Sequence, residues 1–111
     1  MANTFKIYSS NTVSTSAVTV GNHIVASGAT ETVIGLSVAN ITGSAIEVDV
    51  QYANNIGSTA YLIKSAPISY GGTLIVVGGD QKLVLTEGDS IKVLSNTASS
   101  ADVVMSVLEI T

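Results

Sequence analysis

The chain has no cysteine, no tryptophan and no arginine, and only one proline. Without cysteine there can be no disulfide, no thiolate metal ligand and no cysteine nucleophile, and the redox compartment leaves no mark on the sequence. Without arginine, the cationic groups are four scattered lysines, Lys6, Lys64, Lys82 and Lys92. They form no patch that would neutralise a phosphate backbone, and an anionic membrane surface is disfavoured for the same reason. Charge of either sign is scarce: 11% of 111 residues, with a formal net charge of −4, against about 25% charged residues in an average soluble domain. Long apolar runs are missing too. Nothing approaches the ~20 consecutive apolar residues of a membrane-spanning helix. The N-terminal "MANTFKIYSS" has one lysine and no apolar h-region, so it does not read as a secretory signal, and folding in a cytoplasm is expected.

What is present is Val, Ile, Thr, Ser, Asn and Gly, with 46% hydrophobic residues. Helix signals are nearly absent, and β-branched residues suit a pleated sheet. Short apolar runs alternate with Gly, Asn, Asp and Ser clusters about every 8–12 residues, the pattern of an all-β fold. The length suits one domain with its own core, residues 1–111, in which residues 1–10 are either a first strand or an N-terminal docking arm.

Strands are expected at 4–9, 16–20, 23–27, 32–41, 45–53, 59–66, 73–79, 82–86, 90–95 and 101–111. Gly21-Asn22 would turn one hairpin and Glu87-Gly88-Asp89 another. In 45–53, Ile46, Val48, Val50 and Tyr52 alternate with Glu47, Asp49 and Gln51, giving one buried and one wet face. Pro67 should end a strand or lie on an edge. With 4–9 counted as an arm, nine of these ten remain, and a single β-sandwich, jelly-roll-like, of eight or nine strands is the natural solution.

The stretch "ADVVMSVLEIT", 101–111, is apolar on both faces. Val103, Met105 and Val107 point one way; Val104, Leu108 and Ile110 point the other. Such a strand lies under a loop, or its outer face meets another subunit. "TLIVV", 73–77, has the same two-sided character. Together with low charge, this favours a homo-oligomer. Val103, Val104, Met105, Val107 and the loop residue Tyr70 are the candidate interface residues.

No catalytic, cofactor or metal site emerges. His23 is the only histidine, and a lone histidine at a strand start is far more often structural than catalytic. Glu47 and Asp49 share a strand face, but a solvated face explains them. Glu87, Asp89 and Asp80 sit in turns, where acids cap backbone N–H groups. Gly71-Gly72 and Gly78-Gly79 precede no helix and cannot place a phosphate. Asn40-Ile41-Thr42 is formally a glycosylation sequon, better explained as a strand-to-turn passage.

Three stretches, "GDSIKVLSNTASSADVVMSVLEIT", "SVANITGSAIEVDVQY" and "YLIKSAPISYGGTLIVVGG", resemble small β-rich virion structural proteins of tailed bacteriophages, of the kind from marine or cyanobacterial hosts. The resemblance spans residues 30–111. It implies a non-enzymatic virion protein, made in the host cytoplasm, that binds and stabilises neighbouring subunits. A capsid decoration (cement) protein is the first expectation, with a major capsid or tail protein as partner and a trimer as favoured oligomer. A neck, tail or fibre component, or a receptor- or carbohydrate-binding β-sandwich module, is the alternative. The resemblance assigns no functional residue.

Overall fold

Alternation of small branched side chains along the chain builds strands that bury one face each. The computed structural model describes residues 2–78 and 82–111. Their order is β1 (Asn3–Val13), β2 (Val18–Thr19), a 3-10 turn (Val20–Asn22), β3 (Thr30–Asn40), β4 (Ile46–Ala53), β5 (Thr59–Ile68), β6 (Thr73–Val77), β7 (Leu83–Leu85), β8 (Ser90–Ser95) and β9 (Ala101–Ile110). They form two antiparallel sheets. The first runs β1-β9-β3-β6, with β7 also paired to β3; the second runs β2-β8-β4-β5. The chain thus crosses between the sheets at most of its turns, except that β4 and β5 are neighbours in the second sheet and β6 and β7 share one edge position of the first, a jelly-roll order. The expected all-β sandwich is what forms.

Between the sheets lies a core of valines with a few larger side chains: Leu36, Ile46, Leu85, Ile91 and Met105 are nearly inaccessible, as are Val33, Val38, Val48, Val50, Val93, Val103 and Val107. β-branched valine loses little rotamer freedom on a strand and fills a thin interlayer well. In β3 the alternation slips: Glu31 and Val33 face inward, and so do Leu36, Val38 and Asn40. A bulge between Val33 and Gly35 in the pairing with β9 resets the phase, so one extra residue keeps both halves of the strand on the core.

Several expected elements take other forms. Residues 4–9 belong to β1, paired with β9 from Asn3↔Ile110 to Ser10↔Val103, so this stretch is a sheet edge and not a detached arm. Gly21 (φ 61°) and Asn22 (φ 53°) do make a tight turn, closed by a 3.1 Å bond from His23 N–H to Val20 O. No strand follows it, because Val25 exchanges backbone hydrogen bonds with Gly88 and Asp89 instead of joining a ladder. Residues 82–95 are not a hairpin. β7 pairs with β3 and β8 with β4, in opposite sheets. The link between them is an arch, in which the Asp89 carboxylate accepts Thr86 N–H (2.9 Å) and its hydroxyl (3.1 Å). Pro67 lies within β5, on an edge, where its missing N–H breaks no ladder bond. β6 is not buried on both faces, since Ile75 is 63% exposed.

The arch requires a glycine. Gly88 has φ +85°, and a Cβ there would collide with the side chain of Asn55. Gly88→Ala should lower stability by roughly 1–3 kcal/mol, from left-handed strain and the clash together. Urea denaturation of the two proteins measures it.

Candidate assembly surface

The outer face of the β1-β9-β3-β6 sheet carries apolar side chains that the chain itself leaves uncovered. Cross-strand register places Phe5 beside Leu108, Leu108 beside Thr32, and Thr32 beside Val84. A second row runs Ser9, Val104, Ser37, Ile75. Ile7 lies between the rows on β1. Phe5, Ile7, Ile75, Val84, Val104 and Ile34 are 76%, 68%, 63%, 56%, 41% and 37% exposed. Its polar neighbours are mostly hydroxyls, and the one charge on this face of β9, Asp102, lies at its end and accepts Thr12 N–H, so desolvating the rows costs little.

This arrangement divides the five expected interface residues. Val103, Met105 and Val107 are 0–1% exposed and pack in the sandwich interior. They are core residues and not interface residues, because the second sheet covers that side of β9. Val104 is on the outer face. Tyr70 is 70% exposed but sits in the turn joining β5 to β6, away from the rows. Phe5, Ile7, Ile34 and Val84 went unnoticed in the sequence. For Phe5 and Ile7 the signal was the odd-numbered phase of "TFKIYS", where they sit opposite Lys6 and Tyr8.

The ionisable groups serve local structure. Glu31 is fully buried, and its carboxylate accepts from His23 Nε2 at 2.7 and 2.9 Å. The His23 ring stacks on Tyr8, centroids 3.8 Å apart and planes 11° apart. This cluster ties the irregular segment after the 3-10 turn to β1 and β3. Sequence reasoning missed Glu31, although it lies in phase with buried Val33. Asp49 is buried and accepts from Ser65 N–H (2.7 Å) and Lys64 Nζ (3.2 Å), while Glu47 stays in solvent. Glu87 takes Gly28 N–H (3.1 Å), Asp102 takes Thr12 N–H (3.0 Å), and Glu109 pairs with Lys6 (3.0 Å). Asp80 and Gly79 lie outside the described residues. Asn40, the sequon asparagine, is 4% exposed; its amide donates to Ser44, Ile68 and Ser69 carbonyls. Among the described residues no three acids or histidines gather as metal ligands.

The sequence matches no family model and no curated protein. A solved chain from Bacillus endospore appendages, which "form a novel family of disulfide-linked pili", superposes with a TM-score of 0.57. It aligns over 99% of this chain and 87% of its own length, at 10% identity. That likeness is one of fold. The disulfides named for those pili have no counterpart here, since this chain has no cysteine.

Two measurements test the ionic groups. His23→Ala strands a buried carboxylate and should cost about 3–5 kcal/mol, whereas replacing both partners (His23→Leu with Glu31→Met) should recover most of it; denaturant titration of single and double variants shows this. In alkali, Lys6 is raised above 10.5 by its hydrogen bond to Glu109, and Lys64 by that to Asp49. Burial raises Tyr8 above 10.0, and burial with Asp89 nearby raises Tyr52. In each case the folded chain holds its proton more tightly than the unfolded one. The resulting stability is complete below pH ~10 and should be lost as pH rises through the raised values, seen as a falling denaturation midpoint only above that pH.

Proposed function

We propose that this protein is a non-enzymatic structural subunit that works by packing against copies of itself and against neighbouring subunits. The observation that carries the reading is the uncovered outer face of the first sheet, apolar on four adjacent strands and almost free of charge. Solvent exposure of so many large apolar groups is unfavourable in an isolated chain, and burying them between subunits removes that cost. Two further observations support it. The acids other than Glu47, among the described residues, are engaged in caps or ion pairs, which leaves no pair poised for acid–base work. The fold is also that of a protein from appendages described as pili.

Within that class, we place the protein in a virion. The support is the resemblance of residues 30–111 to small bacteriophage structural proteins. A capsid decoration protein is the first choice; a neck, tail or fibre component follows. The similarity to an appendage subunit favours a fibre-like element as the second reading. Its partners would be its own copies together with a capsid or tail protein.

Mass in solution, by light scattering or sedimentation across a dilution series, tests self-association directly. Wild-type protein should form an oligomer, whose order decides between a trimer and another closed form. Val104→Asp should keep the folded spectrum but weaken association at least ~10-fold, because it puts a charge on the outer face. Val103→Asp should fail to fold, since it buries an unpaired carboxylate between the sheets. A wild-type monomer at every concentration would overturn self-association.

A further inference from the structure

The two sheets present four edges, and three of them are blunted. β2 is two residues long. The opposite edge of the first sheet is shared by β6 and β7, each of which pairs with only part of β3. β5 contains Pro67, a left-handed Ser65 (φ 52°), the charge of Lys64 and two register shifts against β4. These are the usual devices that keep a sheet edge from pairing with another chain.

β1 keeps such devices to its far end, where Thr12 is left-handed (φ 50°) and the register with β9 shifts between Ser10 and Val13. It holds an unbroken register with β9 from Asn3 to Ser10 and contains no proline. Its one charge, Lys6, turns its ammonium to Glu109. Ala2 and Thr111 exchange both of their backbone hydrogen bonds, at 3.1 and 3.0 Å. Carried along the antiparallel register, even-numbered residues of β1 aim N–H and C=O at β9. Asn3, Phe5 and Ile7 therefore aim theirs at the open edge. From Tyr8 onward the edge is closed off by the 3-10 turn: a Cβ on Gly21 would come within 2.9 Å of Tyr8 and 3.3 Å of Ser9 N.

We propose that two copies of this chain join edge to edge through β1, antiparallel, about a two-fold axis at Phe5. This rests on the self-association reading above and gives it an interface. The open stretch is self-complementary. Centring on Phe5 sets Asn3 opposite Ile7, Thr4 opposite Lys6, and Phe5 opposite its own copy. Each of the three pairs formed by odd-numbered residues exchanges two hydrogen bonds, so every open donor finds an acceptor. The arrangement sets no lysine against another lysine. Phe5 gains an aromatic cross-strand partner on the outer face, where such pairs add to sheet stability. The two sheets become one continuous sheet, and their apolar outer faces merge across the axis. A self-matching segment closes as a dimer, which makes a two-fold pair the building unit in place of a trimer.

The test uses wild-type protein and Ile7→Pro. Proline at position 7 removes a donor that points only to the open edge, and its restricted φ suits an edge strand. Wild-type protein should be dimeric, and Ile7→Pro should associate roughly 100-fold more weakly with its unfolding midpoint nearly unchanged. Amide hydrogen exchange on wild-type protein gives an independent readout. In the concentrated protein Phe5 and Ile7 amides should be protected; on dilution they should exchange freely while Lys6 and Tyr8 stay protected. If wild-type protein stays monomeric at all concentrations, both the self-association reading and the edge pairing fail. If it associates but Phe5 and Ile7 exchange as fast as in the monomer, only the edge pairing fails, and the outer face is then the contact. Ile7→Pro assembling as tightly as wild-type protein would have the same meaning.

Discussion

The structure depends on β9 lying between β1 and β3. Over Ala101–Ile110 it pairs on one side with nearly all of β1 and on the other with nearly all of β3. Its inner side chains, Val103, Met105 and Val107, fill the centre of the interlayer. Without it, β1 has no partner and the first sheet falls into separate pieces. The other local devices serve this pairing. The Asp102 carboxylate accepts Thr12 N–H where the β1 register breaks, and Glu109 holds Lys6 near the other end. The bulge in β3 lets that strand follow β9 while keeping Leu36 and Val38 in the core.

Function, on this reading, lies in surfaces and not in a cleft. Among the described residues the acids other than Glu47 hold backbone and lysines in place, and the single histidine pairs with a buried carboxylate. What remains for a partner is area and hydrogen-bonding edge. Hydroxyl-rich surroundings suit both, because Ser and Thr lose little when they are covered and repel nothing as two surfaces approach. A chain so poor in charge relies on controlled contacts for its solubility, and three blunted edges limit which contacts form.

The all-β architecture was legible because period-two alternation survives even where strands are short. The two-sided character of 101–111 was also legible, and it located a strand that is buried on one side and half-covered on the other. Alternation could not say which side was which: Val103 and Val104 look alike until β4 and β8 are in place. The arch at 86–89 was misread for a related reason. Glu-Gly-Asp between two apolar runs suits a hairpin and a sheet-to-sheet crossing equally, and the choice is made by β3 and β4, far away in the chain. Glu31 was hidden because its phase with Val33 marks a buried position without showing what an acid there could pair with; its partner arrives from an irregular segment eight residues earlier.

The jelly-roll order has a consequence for how the molecule comes into being. Asn3 meets Ile110, so the pairing that completes the first sheet joins segments separated by almost the whole chain. Closing such a loop costs entropy before any contact repays it, and folds built this way reach the native state slowly. Until β9 arrives, β1 has neither its neighbour nor its neighbour's protection, and it is as ready to pair with another molecule as with its own. The order of events, intramolecular closure first and association second, must therefore be kept by rate. Conditions that slow closure, or crowd the nascent chains, would favour exchange of β1 between molecules over the orderly joining of finished ones.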